Sequence, residues 1–109
     1  MTYTSLVYSF IETRLFSELV SEYLSDGEYS KLQQVLIDKP DAGDLIHRSG
    51  GIRKIRWKGS GRGKRGGVRV IYYARIQHGQ IWMLTLYAKN VSENIPGHIL
   101  KRIKEEIDA

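Results

Sequence analysis

The stretch GVRVIYYARIQHGQIWMLTLYAKN, residues 67–90, decides the fold. It contains two runs rich in β-branched and aromatic residues, Val68–Arg75 and Ile81–Ala88, which are typical of strands. The short linker between them, residues 76–80, contains a glycine and suits a hairpin. A third run of the same kind, Ile52–Trp57, precedes this pair. The sequence therefore predicts three consecutive antiparallel strands.

The N-terminal part predicts a strand followed by two helices. Loose alternation over Tyr3–Ser9 indicates a short strand, and from Phe10 the apolar period becomes helical. Ser25–Gly27 breaks this first helix, and we expect Asp26 to cap a second helix that stops before Pro40. The apolar stripe of the first helix consists of Ile11, Leu15, Leu19 and Tyr23.

The remaining segments complete an α+β pattern. Asp41–Gly51 is a loop by composition, and Pro96 suits the first turn of a short C-terminal helix. The order β-α-α-β-β-β-α predicts an antiparallel sheet with the helical hairpin on one face. A chain of 109 residues fits one domain, residues 1–109.

Charge is distributed unevenly along the chain. Residues 1–44 carry eight carboxylates and three Lys/Arg, and residues 93–109 carry four and three. Residues 45–92 carry no Asp or Glu but eleven of the seventeen Lys/Arg. This asymmetry favours a polyanionic partner. The alternative is a basic surface that serves only solubility.

Strand alternation assigns these cations to one face of the sheet. The apolar face, expected beneath the helices, consists of Ile55, Trp57, Val70, Tyr72, Leu84 and Leu86. Arginine binds phosphate oxygens with two parallel hydrogen bonds, and tyrosine offers a plane for base stacking, so the other face suits RNA. That face consists of Lys54, Arg56, Arg69, Tyr73, Arg75, Thr85, Tyr87 and Lys89.

A basic loop, Lys58–Gly67, joins two of the strands and holds four cations among five glycines. Its G-x-G-x-x-G pattern is not a dinucleotide fingerprint, which must lead from a strand into a helix. The loop fits closure on an RNA backbone, because glycine permits close approach. The alternative is a long hairpin loop that glycine leaves mobile. The predicted RNA-binding residues are Arg53, Lys58, Arg62, Lys64, Arg65, Arg75 and Asn90.

The chemistry that fits these residues needs no metal and no cofactor. There is no cysteine, the three histidines are far apart, and the predicted strands carry no carboxylate. RNA supplies its own nucleophile, the 2′-hydroxyl, and cationic crowding would lower a lysine pKa and favour ionised tyrosine. The candidate catalytic residues are Lys54, Arg56, Arg69, Tyr73, Tyr87 and Lys89.

The sequence also predicts a cytoplasmic protein without a membrane segment. No apolar run approaches the ~20 residues that span a bilayer. The first residues, Met1–Thr4, lack the basic region of a secretory signal.

Four segments together resemble the RelE/HigB toxin family, and most closely its HigB-type branch. They are Gly51–Trp57, the Gly-Arg-Gly-Lys run at 61–64, Gly67–Tyr73 and Trp82–Asn90. The resemblance implies a ribosome-dependent mRNA endoribonuclease (mRNA interferase) with a microbial-RNase-like sheet. It also implies a cognate antitoxin, encoded by an adjacent gene, that neutralises the toxin.

The resemblance further implies roles for individual residues. Lys54 and Arg56 would hold the scissile phosphate and aid proton transfer, and Arg69 would stabilise the transition state. The family's basic pair near the end of the last strand corresponds here to Lys89-Asn90, and no tyrosine follows Tyr87. The general base therefore stays open among Lys54, Tyr73 and Tyr87.

Two other functions use the same residues differently. A non-catalytic RNA- or ribosome-binding inhibitor of translation would need only charge and stacking. A DNA-binding regulator fits less well, because the cations lie on strands and a loop rather than on one helix. For any antitoxin we expect a carboxylate-bearing segment that covers the cationic face or pairs with an open strand edge.

Overall fold

The computed structural model describes residues 8–58, 67–88 and 95–109. The predicted α+β class is confirmed, and the strand predicted at Val68–Arg75 has those bounds. A 3-10 turn, Ile76–His78, links the last two strands. The elements are β1 (Ser9–Glu12), α1 (Arg14–Tyr23), α2 (Asp26–Asp38), β2 (Asp44–Leu45), β3 (Arg53–Trp57), β4 (Val68–Arg75), β5 (Gln80–Ala88) and α3 (Gly97–Asp108).

The sheet is mixed rather than purely antiparallel. Its strand order is β1-β5-β4-β3-β2, and β3, β4 and β5 form the predicted antiparallel meander. The predicted all-antiparallel sheet is wrong at one edge, where β1 runs parallel to β5. A further strand, the two-residue β2, lies inside the segment predicted as a loop. Of the strand predicted at Tyr3–Ser9, residues 3–7 lie outside the described part of the chain.

Thr13 separates β1 from α1, so the prediction that the first helix starts at Phe10 is wrong. Its hydroxyl accepts a hydrogen bond from the Phe16 amide at 3.0 Å, as an N-cap does. The same hydroxyl donates to the Leu84 carbonyl at 2.7 Å, and the Thr13 amide donates to the Met83 carbonyl at 3.0 Å. These bonds hold residues 9–12 in an extended conformation beside β5.

A β-bulge at Leu84 interrupts the alternation of β5. Ile71 pairs with Thr85 but Tyr72 pairs with Met83, so Leu84 is the extra residue. Leu84 was predicted to share a face with Leu86, and this is wrong. Leu86 packs in the core beneath α1 and α2, whereas Leu84 packs on the opposite face with Ile71.

The N-cap of the second helix lies one residue before the predicted position. Ser25 rather than Asp26 is the N-cap, because its hydroxyl accepts from the Glu28 amide at 3.1 Å. The Glu28 carboxylate in turn accepts from the Ser25 amide at 2.8 Å, which completes a capping box. The helix ends at Asp38, ahead of Pro40 as predicted.

The main core lies between the sheet and the α1–α2 hairpin, on what we call the core face of the sheet. Phe16 of α1 and Leu32 and Leu36 of α2 are fully buried against Val70 and Tyr72 of the sheet. Burial of such side chains stabilises the fold by about 1.5–3 kcal/mol each. The predicted position of the helical hairpin on one face is therefore confirmed.

Helix α3 packs on the other face, which we call the cationic face. Its Leu100 is 1% exposed and packs with Ile52, Ile71 and Leu84 at the centre of that face. The face predicted to consist of cations and tyrosines thus contains an apolar centre that a helix covers. A Cβ added at Gly97 would collide with the His47 carbonyl, so only glycine permits this approach of α3 to the loop before β3.

Asp108 fastens the C-terminal end of α3 to the sheet. Its carboxylate accepts hydrogen bonds from the Tyr73 hydroxyl at 2.9 and 3.1 Å. It also lies 3.0 Å from the Arg75 Nε and 3.0 Å from the Lys104 Nζ. We call these four residues the Asp108 cluster.

Among the described residues, none of the helices has the length and the apolar composition that a membrane span requires.

From the Asp108 cluster we expect the packing of α3 on the sheet to depend on one carboxylate. Partial burial alone would raise the pKa of Asp108, but the hydrogen bonds from Lys104 and Tyr73 outweigh it and lower the pKa. Ionised Asp108 therefore stabilises the folded state fully at any pH above the pKa of an unfolded aspartate, about 4. This stabilisation is lost as the pH falls through the lower pKa that Asp108 has in the folded protein. We expect Asp108→Asn to speed amide hydrogen exchange in α3 severalfold at neutral pH.

The matched control is Glu106→Gln, since Glu106 is an exposed carboxylate of the same helix. It should leave the exchange of α3 amides unchanged. Equal protection of α3 in Asp108→Asn and in the unsubstituted protein would contradict this account.

Candidate nucleic-acid interface

Three residues with chemistry suited to a phosphodiester lie side by side across the cationic face. Arg56 on β3 is directly opposite Arg69 on β4, and Arg69 is directly opposite Tyr87 on β5. Residues paired in this way have Cβ atoms about 4.5–5.5 Å apart. We call these three residues the arginine–tyrosine row. Two guanidinium groups and a phenol within this distance can contact one phosphate.

The row places two like charges directly opposite each other, an arrangement that destabilises a sheet. Arg56 is exposed and Arg69 is partly buried. Residues 45–92, which include all of β3, β4 and β5, contain no acidic residue. A bound polyanion would reduce the repulsion between the two guanidinium groups.

Lys54 lies in the next row, directly opposite Ile71, which in turn faces Thr85. It is therefore about 7 Å along β3 from Arg56. Lys54 and Tyr87 also line one cavity of about 220 Å³, together with residues of α3 and the loops. The predicted catalytic residues Lys54, Arg56, Arg69 and Tyr87 are thus brought together by the fold.

Tyr73 and Arg75, by contrast, lie at the other end of the cationic face. Tyr73 is four residues from Arg69 on β4, roughly 13 Å along the strand. Its hydroxyl is bound to Asp108, and Arg75 is paired with the same carboxylate. The apolar centre beneath α3 separates both residues from the arginine–tyrosine row. The fold therefore does not join Tyr73 to the other catalytic candidates.

A larger cavity of about 440 Å³ lies at that far end, beside Arg75 and His78. Its arginine is already neutralised by Asp108, and the Arg75 Nη1 donates to the Gln80 side chain at 2.9 Å. None of the residues of the arginine–tyrosine row lines it. Size alone therefore does not identify the site, and the smaller cavity beside Lys54 and Tyr87 has the more suitable chemistry.

Arg53, predicted to bind RNA, points to the core face rather than to the cationic face. It is paired with Tyr72, whose side chain is fully buried. The Arg53 Nη1 donates to the Gly43 carbonyl at 2.7 Å, while the Tyr72 hydroxyl donates to the Pro40 carbonyl at 2.7 Å. Arg53 thus holds the segment that leads into β2.

The other predicted RNA-binding residues are placed as follows. Lys58 is exposed directly after β3. Four of them lie outside the described part of the chain and stay predictions, namely Arg62, Lys64, Arg65 and Asn90. The catalytic candidate Lys89 also lies outside it.

The predicted stabilisation of ionised tyrosine on this face is wrong. Burial raises the pKa of Tyr87, and the positive charge of Arg69 offsets only part of that rise. Burial also raises the pKa of Tyr73, and its hydrogen bond to Asp108 adds to the effect. Tyr87 therefore stays a neutral phenol at physiological pH, which suits it to donate a hydrogen bond rather than to accept a proton.

Metal-binding residues do not cluster in the part of the chain that the structure describes. Within residues 8–58, 67–88 and 95–109, no three His, Asp or Glu side chains are arranged to hold an ion. His47, His78 and His98 are all exposed and lie on different segments.

Sequence reasoning missed the contribution of α3 to this face. Leu100, Ile95 and Asp108 contact or border the predicted site residues. The signal was present in the apolar positions Leu100, Ile103 and Ile107, which need a partner surface. The bulge at Leu84, which supplies part of that surface, leaves no such signal in the residue pattern.

The fold is similar to that of known toxin structures. A mutant of the E. coli toxin RelE in the free state superposes with a TM-score of 0.60, with 14% identity, over 91% of this chain and 97% of that one. The intact E. coli RelBE toxin–antitoxin complex contains a chain that superposes with a TM-score of 0.53, with 15% identity, over 81% of this chain and 100% of that one. A scan against protein-family models finds no match. At these identities the similarity establishes a RelE-like α+β fold for this chain.

Proposed function

We propose that this protein is a cytoplasmic toxin of a type II toxin–antitoxin system, a metal-independent endoribonuclease that cleaves mRNA on the ribosome. The arginine–tyrosine row is the observation that carries the proposal, because it sets two cations and a phenol beside each other on three strands that contain no acidic residue. The similarity of the fold to E. coli RelE supports it. The HigB-type branch is part of the proposal and rests on the sequence motifs alone.

The proposed reaction is an attack of the RNA 2′-hydroxyl on the adjacent phosphorus. The O2′–P bond forms as the P–O5′ bond breaks, which leaves a 2′,3′-cyclic phosphate, and the departing 5′-oxygen takes a proton from water to become a 5′-hydroxyl. Arg56 and Arg69 would bind the phosphate oxygens, where negative charge grows in the transition state. Tyr87, held neutral by burial, would donate a hydrogen bond to the same group.

The proton of the 2′-hydroxyl needs an acceptor. Of the three candidates, Tyr73 is bound to Asp108 at the far end of the face, and Tyr87 has a raised pKa. Lys54, in the row beside Arg56, is the remaining candidate, and we propose it as the base. The predicted contribution of Lys89 stays part of the proposal.

The partners follow from the same surface. We propose the ribosome and its mRNA as the target, and a cognate antitoxin as the inhibitor. The similarity to a toxin–antitoxin complex supports a protein partner. Since β3, β4 and β5 contain no acidic residue, the segment that covers their cationic face should carry carboxylates.

Arg69→Ala tests the proposed activity. We expect it to abolish growth arrest and to lower cleavage by about 10²–10³-fold, because it removes one donor to the transition-state charge. Cleavage is measured by primer extension on a translating mRNA, with and without ribosomes, after circular dichroism has confirmed folding. The control is Lys31→Ala, which removes an exposed cation of α2.

Cuts inside codons that require ribosomes would support the full proposal. Cuts on naked RNA would keep the nuclease and discard the ribosome. A folded Arg69→Ala protein that stays fully toxic would contradict the proposal. Growth arrest by the unsubstituted protein without any cut would favour an RNA- or ribosome-binding inhibitor.

Arg56→Thr tests the cost of the paired arginines. Threonine favours strands, and its introduction removes the like-charge pair, so the free energy of unfolding should rise by about 0.2–1 kcal/mol. Cleavage should fall at the same time. Urea denaturation measures the first effect, and Arg56→Lys, which keeps the charge, should not be stabilised. A loss of stability in Arg56→Thr would show that Arg56 has a structural role instead.

Charge reversal tests the partner surface. Arg56→Glu and Arg69→Glu should each weaken the complex with the antitoxin by tenfold or more, because close charge pairs across an interface couple by about 1.5–7 kcal/mol. Isothermal titration with the purified antitoxin measures this change, and Lys31→Glu on α2 is the control. Affinity that is indifferent to both reversals would sink the idea of a carboxylate-bearing partner on this face.

A further inference from the structure

The cavity of about 220 Å³ on the cationic face lies between the sheet and the first half of α3. Three parts of the chain line it: the loop before β3, the strands β3, β4 and β5, and the start of α3 together with Ile95 just before it. Its lining consists of Ile46, Lys54, Ile71, Tyr87, Ile95 and Leu100.

The lining combines aliphatic walls with an aromatic ring and one cation. Ile71 and Leu100 are almost fully buried and form the inner wall, whereas Lys54, Tyr87 and Ile95 are partly exposed. A mainly apolar cleft with a few polar groups is the usual form of a site for a small organic group. The volume is below the roughly 300–1,000 Å³ of pockets for drug-sized ligands, so it suits a single planar ring system.

The cavity shares one residue with the arginine–tyrosine row. Tyr87 belongs to both, since it is directly opposite Arg69 and also lines the cavity. Lys54 lies two residues from Arg56 on the same face of β3. A phosphate held by Arg56 and Arg69 would therefore place a neighbouring nucleoside at the mouth of the cavity. Unstacked bases of single-stranded RNA bind proteins by stacking on aromatic rings.

We propose that this cavity binds one RNA base next to the phosphate held by the arginine–tyrosine row. The inference rests on the proposed function and adds a base subsite to it. Helix α3 and the segment just before it then have a role in substrate choice, since Leu100 and Ile95 line the cavity.

Isoleucine methyl groups allow a direct test by NMR with the full chain. The probes are the four 3′-nucleoside monophosphates, and ribose 5-phosphate is the control that lacks a base. We expect saturable shifts of the δ1-methyls of Ile46, Ile71 and Ile95 with at least one nucleotide and none with ribose 5-phosphate. The methyls of Ile55 and Ile81, buried on the core face, serve as internal references.

Ile95→Trp should fill the cavity and weaken nucleotide binding at least tenfold. In the primer-extension assay it should lower cleavage and flatten the base preference at the cut sites. Ile76→Trp is the matched control, because Ile76 is 57% exposed in the 3-10 turn far from the cavity. It should keep both the binding and the base preference of the unsubstituted protein.

The outcomes separate this inference from the proposed function. Cleavage without nucleotide-induced shifts at these methyls, or equal shifts with ribose 5-phosphate, would overturn the base subsite and leave the nuclease intact. Shifts caused only by the antitoxin would also overturn it. Base-dependent shifts in a protein that cuts no RNA would support the subsite and reject the nuclease.

Discussion

The hydrogen bonds between Thr13 and the bulge of β5 are the interaction on which the rest of the structure depends. One hydroxyl caps α1 through the Phe16 amide and also binds the Leu84 carbonyl. The start of the helical hairpin is thereby fixed to the irregular point of the sheet. The bulge turns Leu84 away from the main core and towards α3. It thus gives the sheet an apolar patch on each face, so that helices pack on both sides.

This arrangement divides the cationic face into two ends with different chemistry. At one end, Asp108 neutralises Arg75 and holds Tyr73, so those side chains serve the docking of α3. At the other end, Arg56 and Arg69 face each other on strands without a carboxylate. The first end stabilises the docking of α3, whereas the second places two guanidinium groups beside each other. The boundary between them is the patch that α3 covers.

Much of this was predictable from the residues, because strands that alternate strictly reveal their faces. The bounds of β4, the placement of Arg56, Arg69 and Tyr87 on one face, and the helical hairpin on the other all follow from period-two and helical patterns. The parallel pairing of β1 was not predictable, because it depends on a contact distant in sequence. The bulge at Leu84 and the side of the sheet on which α3 packs were likewise not predictable, because both depend on tertiary contacts that a local residue pattern does not encode. Tyr73 was assigned to the site by residue type and strand alternation, and Arg53 by residue type alone. In the structure Tyr73 is hydrogen-bonded to Asp108 and Arg53 to the Gly43 carbonyl.

The parallel pairing of β1 with β5 also has a kinetic consequence. Thr13 and Leu84 are 71 positions apart, so the loop between them must close before their hydrogen bond forms. Such non-local contacts slow folding, whereas the α1–α2 hairpin needs only nearby residues. During synthesis β1 therefore emerges before the strand with which it pairs. The row formed by Arg56, Arg69 and Tyr87 is likewise complete only after β5 has been made, so the sheet and its cationic face form together.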